Sequence, residues 1–261
     1  MKKLYWSISL LAVVFLSSLA YASEMAFPAS QIEKGGASLS IYYDHSYQKV
    51  NFETSGRDQI SVGGLSYFSQ VSNTLESNGT KNGVAAKLLV NPFAGWYYWV
   101  KAGVASYELE VPSVTVNNTY TTQDNGMNFG AGIRSVLFPD TLFTPAIALD
   151  VGVNYDAYDV NVFQQNGNRQ KVATKLELTE VSAALTVSKI FKTFEPYGSV
   201  KVWRTYTRLS DKDTLESLSG SKDNAGIFVG STIKVHPHES FILEGSFIGE
   251  TSFVAGWNLS F

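Results

Sequence analysis

Hydrophobic and polar residues alternate with a period of two along several parts of the chain. Residues 252–261 carry an apolar side chain at every second position, and the positions between them hold mainly Ser, Gly and Asn. Residues 181–188 and 127–137 show the same alternation. Because successive side chains of a β-strand point to opposite faces, these segments predict strands with one apolar face and one face of small or polar side chains.

Short turns and longer polar segments follow each other in a repeat of roughly 50 residues, the length of two strands with their connections. The turns contain proline with aromatic residues nearby and fall at residues 91–95, 138–145, 191–196 and 236–239. The polar segments between them are 44–80, 112–124, 156–170 and 209–223. Short turns at one rim and longer loops at the other are typical of transmembrane barrels. The pattern therefore predicts an all-β, antiparallel up-and-down barrel of ten strands.

Two alternatives compete with this architecture. Residues 59–70 alternate weakly inside the first polar segment, so a further hairpin and twelve strands are the second possibility. A soluble β-sandwich or lipocalin-like barrel would also alternate, but its apolar row would have to fill a packed interior. The polar rows here contain many small residues and have too little bulk for an outer solvated surface. The transmembrane barrel is the preferred interpretation.

The composition supports a membrane location. Aromatic residues make up 13% of the chain and charged residues 16%, whereas about a quarter of a soluble domain is charged. Nothing after residue 22 approaches the 18 consecutive apolar residues of a spanning helix. Aromatic residues at or beside the short turns predict an interfacial girdle. The girdle comprises Trp96, Tyr98, Phe138, Phe143, Phe191, Phe194, Tyr197 and Phe241.

The N-terminus has the features of a secretory signal peptide. Lys2 and Lys3 precede an apolar stretch, and Ala20 and Ala22 form a small-x-small cleavage site. We therefore expect a signal peptide over residues 1–22, a periplasmic lead-in over 23–36 and the barrel over 37–261. The chain has no cysteine, so neither a disulfide framework nor lipid attachment at the cleavage site is available.

The final strand resembles the C-terminal signal of bacterial outer-membrane β-barrels. It runs from Ser252 and ends on an aromatic residue, with Trp257, Leu259 and Phe261 in one row. In that class the terminal phenylalanine is recognised by the barrel-assembly machinery. The resemblance implies the same role for Phe261 and its row, and a location in the outer membrane of a Gram-negative bacterium beside lipid and lipopolysaccharide. Since a closed barrel leaves no edge strand to pair, we expect a monomer.

Charged residues fall at a consistent distance from the short turns on the inward rows. Arg134 and Asp150 lie on strands joined by one turn, so a direct ion pair is expected. Such a belt, with four positive and two negative members, serves either as a salt-bridge plug or as a weakly anion-preferring constriction; at ten strands the plug is favoured, although lumenal Gly and Ser leave room for water. The belt comprises Lys87, Lys101, Arg134, Asp150, Lys201 and Glu244.

The sequence predicts neither a catalytic nor a metal site, and no cofactor. His45 beside Asp44 is the only histidine away from the short turns, and no second histidine completes a conventional acid-base site. Asp156 with Asp159, and Asp211 with Asp213, are interpreted as solvated loop acids. The formal net charge of −3 argues against nucleic acid, which requires a basic face.

Together these patterns predict an integral outer-membrane β-barrel with structural or narrow-pore character for ions or small solutes. The first alternative is a surface adhesion scaffold that acts through polar external loops. A hydrolase at the loop rim is a more distant alternative.

Overall fold

The computed structural model describes residues 28, 35–53, 60–62, 65–67, 74–112, 117–122, 125–165, 168–212 and 217–261. The signal peptide with Ala20 and Ala22 lies outside the described residues, as does most of the lead-in. The part that is described consists almost entirely of antiparallel strands. The strands are β1 Ala37–Glu53, β2 Ile60–Val62, β3 Leu65–Tyr67, β4 Thr74–Phe93, β5 Trp96–Pro112, β6 Asn117–Thr121, β7 Gly126–Phe138, β8 Ala146–Gln165, β9 Asn168–Ser188, β10 Phe194–Asp211, β11 Ser217–His236, β12 Glu239–Ser246 and β13 Thr251–Ser260.

The main sheet has eleven strands and closes on itself, because β13 pairs with β1 and β1 pairs with β4. Strands β6 and β7 occupy a single place in the ring, since both lie between β5 and β8. The ring therefore has ten places, and the predicted up-and-down barrel is confirmed. The suspected extra hairpin exists as β2 and β3, but it forms a separate two-stranded sheet and adds nothing to the ring.

The strands are much longer than the sequence pattern indicated. Strands β8, β9 and β11 have 20, 21 and 20 residues, whereas a tilted transmembrane strand needs about 9–11. Parts of all four segments interpreted above as polar loops, 44–80, 112–124, 156–170 and 209–223, belong to strands. The barrel wall thus continues well beyond the membrane on the side opposite the short turns. In the described part of the chain, no helix is long and apolar enough to span a membrane.

The outer face of the barrel changes character along each long strand. Near the short turns it is apolar; on β9, for example, Val181, Leu185 and Val187 are exposed on this face, while Lys175 and Glu177 follow beyond them. We call the apolar part of the outer face the apolar band. Its members include Val84, Leu88, Val100, Val104, Met127, Phe129, Ile133, Leu149, Val151, Val153, Val181, Leu185, Val187, Val200, Val202, Ile227, Val229, Ile233, Leu243, Phe253 and Trp257.

The inner face changes in the opposite sense. Beside the apolar band it carries Ser, Thr, Gly and charged residues with smaller buried clusters that include Trp99, Trp203 and Phe228. In the part of the barrel beyond the band it carries a larger buried hydrophobic cluster from seven strands. Ring pairs Tyr107–Tyr158 and Tyr120–Phe163 pack within it at centroid distances of 4.9 and 5.2 Å. We call this cluster the apolar plug. It consists of Val50, Phe52, Ala105, Tyr107, Leu109, Val111, Tyr120, Tyr158, Val160, Phe163, Leu176, Leu178, Leu209 and Leu218.

One member of the predicted aromatic girdle faces the wrong way. Tyr197 is only 5% exposed and points into the lumen, because it lies three residues after the outward Phe194 and an odd spacing on a strand places two side chains on opposite faces. The exposed members are Trp96, Tyr98, Phe138, Phe143, Phe191 and Phe194. Phe241 is half-buried on the outer face, 6.4 Å from the ring of Trp257.

The C-terminal strand completes the ring. The backbone N–H of Phe261 donates to the carbonyl of Ala37 at 2.8 Å, and Trp257 and Phe261 are exposed on the outer face with Leu259 half-buried between them. Their recognition by the barrel-assembly machinery stays a prediction.

Candidate functional site

The six charged residues predicted for the lumen all lie on the inner face, at the height of the apolar band. Lys87, Lys101, Arg134, Lys201 and Glu244 are buried, and the side chain of Asp150 is 16% exposed. They project from β4, β5, β7, β8, β10 and β12. Strands from all around the ring therefore contribute to one charged layer.

Arg134 and Asp150 stand directly opposite each other on β7 and β8. Arg134 Nε lies 3.4 Å from Asp150 Oδ2, and the indole N–H of Trp99 donates to Asp150 Oδ1 at 2.9 Å. Arg134 Nη1 also donates to the backbone carbonyl of Pro28 at 3.0 Å. The expected pair is present, and it joins the wall of the barrel to the segment that precedes β1.

Other members of the layer find partners that sequence reasoning did not identify. Lys201 Nζ lies 2.8 Å from Glu180 Oε1, and the hydroxyl of Tyr197 donates to Glu244 Oε2 at 2.8 Å. The ammonium of Lys87 lies 4.1 Å from the ring centroid of Trp99, a cation–π arrangement. A buried charge is tolerated when such partners replace its water.

A second group of charges lies closer to the apolar plug. Lys81 Nζ lies 3.3 Å from Asp156 Oδ1 and 3.8 Å from Asp44 Oδ2, and Asn128 Nδ2 donates to Asp156. The interpretation of Asp156 as a solvated loop acid is therefore wrong. It lies on β8 six residues beyond Asp150, and an even spacing keeps both on the inner face.

These additions change the charge balance of the lumen. Among the described residues, the inner face as a whole holds five cations and seven carboxylates, so the positive excess predicted for the six-residue belt does not extend to the whole lumen. The cations are Lys81, Lys87, Lys101, Arg134 and Lys201. The carboxylates are Asp44, Asp150, Asp156, Glu180, Glu195, Glu244 and Glu250.

Lumenal glycines make room for aromatic rings as well as for water. The indole of Trp99 lies against Gly132 and Gly152, where a Cβ atom would come within 2.4 and 2.3 Å of the ring. Gly79 accommodates the hydroxyl of Tyr107 in the same way. The expectation that lumenal Gly leaves open space is thus wrong at these positions, because an aromatic side chain from another strand fills it.

Two cavities within the charged layers are small. One, of about 30 Å³, is lined by residues that include Lys87, Arg134 and Lys201. The other, of about 20 Å³, is lined by residues that include Lys101 and Glu180. A cavity needs roughly 10–15 Å³ to hold one water molecule, so each has room for one or two.

The histidine and acid pairs considered as catalytic candidates do not come together. Asp44 faces the lumen, whereas His45 lies on the outer face with Nδ1 next to Asn82 Oδ1. Asp159 is outside and forms an ion pair with Lys212 at 2.9 Å. Asp213 lies outside the described residues. Within the described part of the chain, no group of three or more His, Asp or Glu side chains has the arrangement of a metal site.

No family model and no curated protein sequence matches the chain. Solved structures match it in fold. The outer-membrane protease OmpT of Escherichia coli superposes with a TM-score of 0.58 at 10% identity over 89% of this chain and 100% of OmpT. The translocator domain of the autotransporter NalP from Neisseria meningitidis gives a TM-score of 0.48 at 9% identity over 88% and 89% of the two chains. OprG of Pseudomonas aeruginosa gives 0.45 at 8% identity over 90% and 99%.

The likeness to OmpT shows a common fold but does not indicate an activity for this chain, since one fold hosts many functions. The chain has the fold of the bacterial outer-membrane β-barrels, and its apolar band lies in the outer membrane. The predicted class and location are confirmed.

Proposed function

We propose that this protein is a sealed outer-membrane barrel, with a structural role in the membrane and no open pore. The observation that carries the proposal is the apolar plug, whose side chains are at most 2% exposed. Side chains from opposite walls meet in it, so an ion that crossed the barrel would have to leave water and enter an apolar interior. That transfer is very costly for an unpaired charge.

The charged layers below the plug support the same proposal. The ion pair Lys81–Asp156 joins the non-adjacent strands β4 and β8 across the lumen, and Arg134–Asp150 and Lys201–Glu180 join adjacent strands on its inner face. An eight-stranded barrel is about filled by its own side chains, and a wide aqueous channel is typical of sixteen or more strands. The interior of this ten-place ring is filled in the same manner as that of the smaller barrels.

The test is ion conductance of the mature protein after refolding into a planar bilayer. We expect a silent membrane while the protein keeps the heat-dependent electrophoretic mobility of a folded barrel. A porin added to the same bilayer controls for the recording. Discrete conductance steps from the folded protein would contradict the proposal and favour the narrow pore instead.

Surface recognition is the second candidate, because the polar outer wall above the apolar band gives the protein a large water-facing surface. Lys49 and Glu76 are exposed on it, and Lys175 and Glu177 are partly exposed. Loss of cell or matrix binding when the connections between β5 and β6 and between β10 and β11 are shortened would support adhesion. Unchanged binding would argue against it. The hydrolase alternative gains no support, since Asp44 and His45 lie on opposite faces of β1.

A further inference from the structure

A trough of about 530 Å³ lies on the outer wall of the barrel, and this volume is within the usual range of small-molecule sites. Its lining comes from five strands, β1, β8, β9, β10 and β11.

Strand register explains the shape of the trough. Thr179 pairs with Tyr155 on one side and with Tyr206 on the other, and Tyr206 pairs in turn with Ser221. The next row outward holds Glu177, Arg208, Ser219 and Glu53, again as successive register partners. Because neighbouring strands lie about 4.8 Å apart, small Thr and Ser side chains between Tyr and Arg leave a depression.

The trough begins where the apolar band ends. On β8, Tyr155 follows Val153; on β9, Thr179 follows Val181 on the same face; on β10, Arg204 and then Tyr206 follow Val202. This boundary is on the side away from the short turns, which is the extracellular side of an outer-membrane barrel. A lipid whose acyl chains covered the band would place its headgroup in the trough.

The lining holds one cation, Arg208, and two carboxylates, Glu53 and Glu177. Glu177 is already engaged, since Lys175 Nζ lies 2.8 Å and the hydroxyl of Tyr155 2.5 Å from its Oε1. These two donors lower the pKa of the Glu177 carboxyl from its ordinary value. Arg208 is the register partner of Glu177, and its charge also lowers the pKa of that carboxyl. Among the described residues, however, its guanidinium makes no hydrogen bond or ion pair within contact distance. Its planar guanidinium can bind a phosphate or carboxylate through two parallel hydrogen bonds.

Nearby side chains supply the remaining contacts. Arg204 lies 5.5 Å from the ring centroid of Tyr206 and donates to Ser221 Oγ at 3.1 Å, so the guanidinium steadies one wall of the trough. Tyr155 and Tyr206 offer apolar ring faces with polar tips, the property that favours tyrosine at membrane interfaces. Ser219 and Ser221 offer hydroxyl groups for hydrogen bonds with sugar hydroxyls.

We infer that this trough binds the phosphorylated sugar headgroup of an outer-leaflet glycolipid, with Arg208 on the anionic group and the two tyrosines beside the sugar. The acyl chains then continue along Val153, Val181 and Val202. This continuity favours a membrane glycolipid over a soluble sugar phosphate. The inference is independent of whether the lumen conducts.

The experiment uses the mature protein refolded in neutral detergent micelles, with bound lipid measured by native mass spectrometry. The probes are deep-rough lipopolysaccharide, its deacylated headgroup and phosphatidylglycerol. Arg208→Gln removes the charge from the trough. Lys212→Gln is the matched control, because it removes an exposed cation whose described partner is Asp159, outside the trough.

We expect the wild-type protein and Lys212→Gln to bind the lipopolysaccharide with equal affinity. Arg208→Gln should bind it with an affinity lower by about tenfold or more, because a charge-assisted hydrogen bond is lost. The deacylated headgroup and phosphatidylglycerol should both bind more weakly than the intact glycolipid. Equal binding by Arg208→Gln and wild type would overturn the site. Equal binding of phosphatidylglycerol would overturn sugar recognition, and equal binding of the deacylated headgroup would assign the trough to a soluble saccharide.

Discussion

The membrane half and the extracellular half of this barrel have opposite polarity. On β9, Leu185 faces outward and Ser182 inward within the membrane half, while Lys175 faces outward and Leu176 inward in the extracellular half. From Thr174 to Ser188 the strand is a regular period-two element, and its register against β8 shifts only between Lys171 and Thr174. The phase of its hydrophobic pattern changes because the surroundings change from lipid to water.

The two halves are consequently stabilised by different means. The membrane half contacts lipid through apolar side chains, and its buried polar groups depend on partners such as those of Arg134 and Lys201. The extracellular half packs the apolar plug as a soluble protein packs its core. Substitutions that exchange the polarity of one face should therefore have opposite consequences in the two halves.

The largest effect is expected for a charge placed in the apolar plug. Leu176→Asp would bury a carboxylate without a partner, since Leu176 is fully buried among apolar side chains. A buried uncompensated charge costs about 3–5 kcal/mol of the free energy of unfolding. Denaturant titration in detergent micelles, followed by tryptophan fluorescence, measures this loss.

The control for that variant is Ala173→Asp, three residues away on the outer face of the same strand. A surface substitution there should change stability by no more than about 0.5 kcal/mol. If both variants lost the same stability, the inward packing of the extracellular half would be wrong.

A charge on the outer face should destabilise the membrane half and not the extracellular half, the reverse of a charge on the inner face. Leu185→Lys would expose an ammonium to lipid within the apolar band, where lysine costs roughly 2–4 kcal/mol near the midplane. Ala173→Lys, on the same face beyond the band, should cost almost nothing. Refolding yield into lipid vesicles with denaturant titration measures both, and similar costs would place the membrane boundary elsewhere.

Adding a methyl group to a lumenal glycine tests whether the lumen is filled or open. Gly132→Ala would bring Cβ within 2.4 Å of the Trp99 ring, and overpacking of this kind costs about 1–3 kcal/mol. Gly198→Ala is the control, because on the outer face of β10 the nearest atom to its Cβ is 3.9 Å away. Equal stability of the two variants would mean that the lumen around Trp99 has spare room.

The cross-strand pair in the charged layer should show measurable coupling. Reversing Arg134 to Asp should destabilise the barrel, and adding Asp150→Arg should restore part of the loss. Restoration is incomplete because Trp99 donates to Asp150 and Arg134 donates to Pro28. We expect an interaction energy of about 1–3 kcal/mol from the double-mutant cycle. Additive effects would disprove the pair.

Sequence reasoning reached the membrane half more completely than the extracellular half. Arg134 and Asp150 were placed on the inner face from the sequence alone. The alternation along each strand and the single turn between the two strands were enough for that placement. The strand between Asp156 and Phe163 was interpreted as a loop, since polar outward residues such as Asp159 alternate with apolar inward ones and give a polar average. Only the register of neighbouring strands reveals that Gly132 faces Trp99.

The smallest expected effect concerns an ion-pair group on the extracellular outer wall. The hairpin of β12 and β13 is short, with 8 and 10 residues, and β1 pairs directly with β11 beyond it at Glu53 and Ser219. Glu76 on β4 lies 2.7 Å from Lys222 on β11 and 2.6 Å from Lys49 on β1. The carboxylate therefore ties three strands together above the short hairpin.

Glu76 should make stability depend on pH in the acid range. Hydrogen bonds from Lys222 and then Lys49 lower the pKa of its carboxyl from 4.5 to about 2. A lowered folded-state pKa means that the stabilisation is complete above about pH 4.5 and is lost as the pH falls towards 2. Since Glu76 is half exposed, water screening limits the contribution to less than about 1 kcal/mol. Glu76→Gln should flatten the dependence of the denaturation midpoint between pH 5 and 2, by comparison with Glu108→Gln on β5. If Glu76→Gln left that slope unchanged, these lysines would not hold the strands together, and the extracellular half would depend on its apolar plug alone.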